Sequence, residues 1–150
     1  MSDYKYEALR LENQLCFPLY ALAKEVVNLY RPLLDEINLT YTQYIAMMVI
    51  WEKEKVNVKE LGKKLYLDSG TLTPVLKSLE SKGFVSRYRS AEDERILIVE
   101  ITEKGKALKD AAVKVPEQII SHFDISLKDA VFMHKQLYNQ LNHLTEEKQG

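Results

Sequence analysis

The stretch 65–101 constrains this chain more than any other, because it reads as a helix, a hard stop, a strand, a charged turn and a second strand in immediate succession. Asp68, Ser69 and Thr71 can each accept the unpaired amides of a first helical turn, and Val75, Leu76 and Leu79 follow at helical spacing. Gly83 comes directly after Lys82, where a left-handed residue ends a helix without the penalty of a Cβ. Residues 84–89 and 96–101 are rich in β-branched and aromatic side chains, and Ser90, Ala91, Glu92 and Asp93 separate them as a turn. Upstream, Asn57 and Glu60 stand at capping-box spacing before Val58, Leu61 and Leu65, so a preceding helix is joined to this one through Tyr66, Leu67 and Asp68. Pro74 bears on where the second helix begins. With Thr71 as its start the proline falls in the first turn at little cost; with Asp68 it removes a hydrogen bond to Gly70. The later start is expected.

Two helices followed by a hairpin with Arg87 and Arg89 at its base and Arg95 at its tip form the pattern of a winged helix-turn-helix. The expected class is therefore mainly α with a small β-hairpin wing (α+β), the winged helix spanning about 41–101. Such a helix would enter a DNA major groove, and the hairpin would reach the adjacent minor groove or backbone. The whole chain is not basic, with a formal net charge of -1, but between 59 and 89 seven Lys/Arg face three acids. That local excess serves either as a phosphate-binding patch or as an ordinary solvated face. Ser69, Thr71, Thr73 and Lys77 are the polar residues available to bases and phosphates on the second helix. Arg87 and Arg89, with Lys63 and Lys64, would position the duplex. Arg95 follows Glu92, Asp93 and Glu94. It is either a surface ion pair of little energy or a guanidinium aimed by Asp93 into a narrow minor groove.

The flanks are helical. Leu11, Leu15, Leu19, Leu22, Val26, Leu29 and Leu33 form a stripe over 9–34, with Pro18 expected to bend the helix and Pro32 to disturb its end. Thr40 and Gln43 open a helix by a capping box. Thr102 caps another that breaks at Pro116, and Ser126 with Asp129 opens a last one carrying Leu127, Val131, Leu137, Tyr138, Leu141 and Leu144. At 150 residues, 46% of them hydrophobic, one domain with a proper core is expected. The terminal helices, about 9–34 and 102–146, carry more apolar face than the small central motif can cover. They either pack on their own domain or form a two-fold homodimer that sets two reading helices on one face of double-stranded DNA. No apolar run approaches the ~20 residues of a membrane span, no leader pattern opens the chain, and one cysteine fits a reducing cytoplasm.

The run LYLDSGTLTPVLKSLESKGFVSRYRSAEDER with ITEKGKAL after it closely resembles the multiple-antibiotic-resistance regulator (MarR) family of winged-helix repressors. Asp93-Glu94-Arg95 matches that family's D-x-R wing, whose arginine contacts the minor groove. LENQLCFPLYALAKEV and NLTYTQYIAMMVIWE are similar, more narrowly, to the one-cysteine organic-hydroperoxide regulators (OhrR type) and their single-cysteine redox relatives. The likeness runs from about Leu11 to Leu108. It implies a homodimer built by the first and last two helices, and a sensing role for Cys16, whose thiolate organic hydroperoxide oxidises to sulfenic acid. It implies that tyrosines of the partner subunit support the thiol, here Tyr30 and Tyr41 with Tyr20 nearby. With no resolving cysteine in the chain, a small thiol would trap the sulfenate, or it would be overoxidised. Pro18, two residues after Cys16, stands where an ordinary apolar helix residue would be expected.

The residues themselves leave Cys16 open. Leu15, Phe17 and Leu19 make its setting apolar, which suits an inert packing residue. Tyr20, Tyr30, Tyr41 and Tyr44 offer phenols that can hydrogen-bond a thiolate. A regulator controlled by a small aromatic ligand, with Cys16 structural, is the alternative reading. A one-cysteine thiol peroxidase is the other, but no CxxC, resolving cysteine or βαβ pattern accompanies the thiol. No cofactor is expected: His122, His134 and His143 lack metal spacing, and no phosphate-binding glycine motif or nucleophile elbow is present.

Overall fold

The computed structural model describes residues 4–148. Two compact units divide the chain, 1–116 and 117–150. The first opens with short 3₁₀ turns at Tyr4–Leu9 and Leu11–Asn13 and continues through α1 (Cys16–Asp35), α2 (Tyr41–Lys53), β1 (Lys55–Asn57), α3 (Val58–Leu65), α4 (Ser69–Ser81), β2 (Val85–Arg89), β3 (Leu97–Ile101) and α5 (Glu103–Ala112). α6 (Val115–Ile120) crosses the division, and α7 (Leu127–Glu147) makes up most of the second unit.

The core of the first unit consists of Leu34, Met47, Ile50, Leu61, Leu72, Leu76, Leu79 and Val99, all fully buried. The hairpin expected from the sequence is the larger part of a three-stranded antiparallel sheet in the order β1-β3-β2. Arg87 lies opposite Val99 across β2 and β3, and Val56 opposite the same Val99 across β1. β1 was not expected: three residues carry no alternation to detect, and β3 recruits them by offering its second edge.

The helix starts follow their caps. Thr40 and Gln43 form the reciprocal capping box, Thr102 accepts the Gly105 amide and Ser126 the Asp129 amide. Asn57 accepts from the Lys59 amide, without a return bond from Glu60. Two expectations about proline need correction. α1 begins at Cys16, so Pro18 is its third residue and gives up no intrahelical hydrogen bond; the long helix is shortened at its start instead of bent. α4 begins at Ser69 and not at Thr71, which puts Pro74 inside the helix. The Asp68 carboxylate takes the Thr71 amide at 2.8 Å, and this cap prevails over the proline's preference for a first turn. The break expected at Pro116 falls just before it, and Pro116 becomes the second residue of α6.

Two turns hold the motif rigid. After α3, Tyr66 takes a left-handed conformation (φ 56°) and the Leu67 amide returns to the Gly62 carbonyl at 2.9 Å. After α4, Gly83 (φ +83°) donates to Glu80 O and Phe84 to Leu79 O, the paired bonds of a Schellman stop. α5 is jammed against that second turn. Thr102 Oγ1 donates to Gly83 O at 2.6 Å, and the Gly105 carbonyl accepts from buried Trp51 Nε1 at 2.8 Å. A Cβ on Gly105 would overlap the Phe84 carbonyl oxygen and come within 2.9 Å of Ile101 Cγ1. Gly105→Ala is therefore expected to destabilise the fold by about 1–3 kcal/mol, read as a lower urea midpoint with an unchanged slope.

Candidate nucleic-acid interface and thiol site

α4 buries Leu72, Val75, Leu76 and Leu79, which turns the opposite side outward. Ser69, Thr71, Thr73, Pro74 and Lys77 are all exposed there. The Thr73 hydroxyl donates to the Ser69 carbonyl at 2.7 Å, back along its own helix. Hydrogen bonds from the Thr71 amide, and then from its hydroxyl, hold the Asp68 carboxyl below the usual aspartate range. Lys63 and Lys64 are exposed on the last turn of α3.

At the wing tip, Asp93 grips Arg95 with both oxygens: Nε meets Oδ1 and Nη2 meets Oδ2, each at 3.0 Å, and the Arg95 amide also donates to Oδ1. The Arg95 side chain is nonetheless 89% exposed, so its guanidinium is oriented without being covered. These same bonds lower the Asp93 pKa. Arg95 and Ser69 line a common cleft of about 340 Å³ with Lys59, Leu67 and Leu97, so the wing and the start of α4 frame one surface. Arg89 is exposed at the end of β2. Arg87, two residues earlier on the same side of the strand, is tied instead to Glu80 of α4.

Cys16 is exposed and opens α1, where first-turn amides have no intrahelical acceptor and favour negative charge. Tyr20 is 62% exposed, with the Lys24 ammonium 5.4 Å from its ring centroid. The other phenols gather at the far end of α1. Tyr30 lies 4.9 Å from Tyr41 and 5.7 Å from Tyr44, centroid to centroid, and Tyr44 packs edge-on to Trp51. Fourteen residues of helix separate Cys16 from Tyr30, about 21 Å at 1.5 Å per residue. The thiol and the phenol cluster of one chain are thus apart. Next to the cluster, Val27, Arg31, Leu39, Thr40 and Tyr41 line a cleft of about 340 Å³.

Two residues take a larger part than the sequence reading gave them. Tyr44, three positions after Tyr41 and so on the same helical face, is the buried anchor of the cluster. Gln43, read only as a capping partner, is buried and reaches α4: its Oε1 accepts from Lys82 Nζ at 2.8 Å and its Nε2 donates to Ser78 Oγ at 2.9 Å.

The fold and this surface define a winged helix-turn-helix protein of the DNA-binding kind. The chain matches the family model for the transcriptional regulator SarA/Rot over residues 28–112. It is 46% identical over 145 residues to the organic hydroperoxide resistance transcriptional regulator of Bacillus subtilis, covering 97% of this chain and 99% of that one. The regulator SarZ of Staphylococcus aureus is 46% identical over 120 residues, 80% of this chain and 81% of its own. Among solved structures, reduced AbfR bound to DNA superposes with a TM-score of 0.76 at 35% identity, covering 93% of this chain and 98% of that chain. The chain belongs to the SarA/Rot family and is a MarR-type winged-helix transcriptional regulator most like the organic-hydroperoxide group; it is not an enzyme. No helix among the described residues is long and apolar enough to cross a membrane.

Burial, then the neighbouring Tyr30 and Tyr41, push the Tyr44 phenol up to about 12, and burial raises Tyr30 in the same direction. A raised folded-state value means stability present below pH 10 and lost as the pH climbs through about 12. Unfolding free energies measured from pH 9 to 12 should fall by up to about 2–3 kcal/mol on this account, and Tyr44→Phe should flatten the fall.

Proposed function

We propose that the protein is a homodimeric repressor of a pseudo-palindromic operator, released when organic hydroperoxide oxidises Cys16. The observation that carries the reading is the placement of the thiol: exposed at the first residue of α1, and a helix length away from its own chain's Tyr30 and Tyr41. Two α1 helices running antiparallel across a two-fold axis would bring each Cys16 to the partner's phenols. Exposed apolar faces on α1 (Phe17, Leu19, Leu22) and α7 (Val131, Leu137, Leu141) supply surface for such a dimer. On this reading 9–34 and 102–146 are dimerisation segments of one regulatory domain, and about 41–101 is its reading head.

In the reading head, Ser69, Thr71 and Thr73 meet base edges and Lys77 and Arg89 meet phosphates. Arg95, held by Asp93, enters the minor groove. In the sensor, the thiolate attacks the peroxide oxygen; the O–O bond breaks, the alkoxide leaves and takes a proton from water, and Cys16 becomes a sulfenic acid. A small thiol then displaces hydroxide from that sulfur, giving a mixed disulfide and water. Support for redox control comes from the relatives: one is a regulator of organic hydroperoxide resistance, and AbfR has been solved reduced on DNA, overoxidised on DNA, and with a disulfide formed. Because overoxidised AbfR is found on DNA, we assign release to the mixed disulfide in preference to a sulfonate.

A second reading has one observation in its favour: the cleft beside Tyr41, with an apolar wall of Val27, Leu34 and Leu39 and both Arg31 and Asp35 in its lining, would suit a small aromatic ligand. A gel-shift titration on DNA from upstream of its own gene separates the two. Wild type treated with stoichiometric cumene hydroperoxide and a small thiol should lose roughly 5- to 150-fold in affinity, while Cys16→Ser keeps it. Equal binding by treated and untreated wild type would return Cys16 to a structural role.

A further inference from the structure

Arg87 differs from the other wing arginines, Arg89 and Arg95, in being largely covered. Its side chain is 20% exposed, and Nη2 lies 3.2 Å from Glu80 Oε1. Its backbone amide donates to Glu80 Oε2 at 2.8 Å. Nε is buried and has no hydrogen-bond partner among the described residues. One carboxylate on the last turn of α4 thereby commits both oxygens to β2, an edge strand whose outward amides have no neighbouring strand to meet. Between the two elements lies Gly83, at φ +83°, the most permissive backbone in the connection. The Schellman bonds fix the turn itself, but they do not reach out along the strand.

We infer that Glu80 and Arg87 brace the wing against the reading helix, acting as positioning residues for operator recognition without touching DNA themselves. The inference rests on the DNA-binding role proposed above. Specific binding needs the exposed face of α4 and the tip Arg95 to engage two grooves at once, so the angle between them is part of the recognition surface. Bonds that fix that angle raise operator affinity by reducing what must be ordered on binding. Non-specific binding, which depends on phosphate charge, needs no such angle.

The alternative role for Arg87, a phosphate contact, makes the opposite forecast for one substitution. Glu80→Gln removes a negative charge from the reading head and frees Arg87, so a phosphate contact would bind every DNA more tightly. A brace loses its ion pair, and operator affinity falls.

The experiment measures binding of wild type, E80Q, R87M and E80Q/R87M to a duplex from upstream of the protein's own gene and to a scrambled duplex of equal length. Thermal unfolding checks that each variant is folded at the assay temperature. The expected result is a loss of about tenfold on the operator for E80Q, the scale of a charge-assisted hydrogen bond, with no loss on scrambled DNA. R87M should lose as much on the operator, and the double variant no more than the worse single one. A role in stability alone would leave the operator-to-scrambled ratio unmoved. E80Q binding the operator as tightly as wild type, or more tightly, overturns the brace. Wild type that prefers neither duplex overturns the DNA reading beneath it.

Discussion

The side chain of Gln43 joins the α1–α2 corner to the end of α4. Its oxygen accepts from the Thr40 amide at 3.1 Å and from Lys82 Nζ, while its nitrogen donates to Ser78. Lys82 also donates to the carbonyl of Asn38 at 2.8 Å. A buried amide left unpaired would be costly, so this set is kept whole or lost together. Its members sit on the corner between α1 and α2, which carries the tyrosine cluster, and on the last turn of α4. Tyr41 and Tyr44 flank Gln43 in the sequence of α2, and the Gln43 side chain is hydrogen-bonded to Ser78 of α4 and to Lys82 just after it.

From Ser78 and Lys82 the chain of contacts continues. Glu80, between them, reaches β2 through Arg87, and Lys104 of α5 donates to the Lys82 carbonyl. α4 is thus held at its C-terminal end by α2, by the wing strand and by α5. Its N-terminal end, where Ser69 and Thr71 are exposed, is held by the Asp68 cap. Pro74 lies between the two ends, and the helix gives up one internal bond there.

The reading head was legible in the sequence because local chemistry dictates it. Asn57, Gly83 and Thr102 each act through neighbours within a few residues, and the structure uses each as the pattern indicates. Where two local rules competed, as at Asp68 and Pro74, sequence alone chose the wrong start. What stayed hidden depends on distance along the chain. Gln43 meets Ser78 across 35 positions and Trp51 meets Gly105 across 54, and no periodicity encodes such pairings. Arg87 shows the same limit at short range: as an arginine on a wing it looked available to DNA, and only the fold brings Glu80 against it.

The distance along α1 between Cys16 and Tyr30 has one more consequence. In the proposed dimer every chain lends its thiol to one sensor and its phenols to the other, so the two sensors share both chains and neither belongs to one. A single oxidation then changes one of two equivalent junctions and leaves an asymmetric pair, with one reading head displaced from a two-fold operator. In such a dimer peroxide would be read by the pair, and the concentration at which chains associate would set the threshold for sensing as well as for occupying DNA.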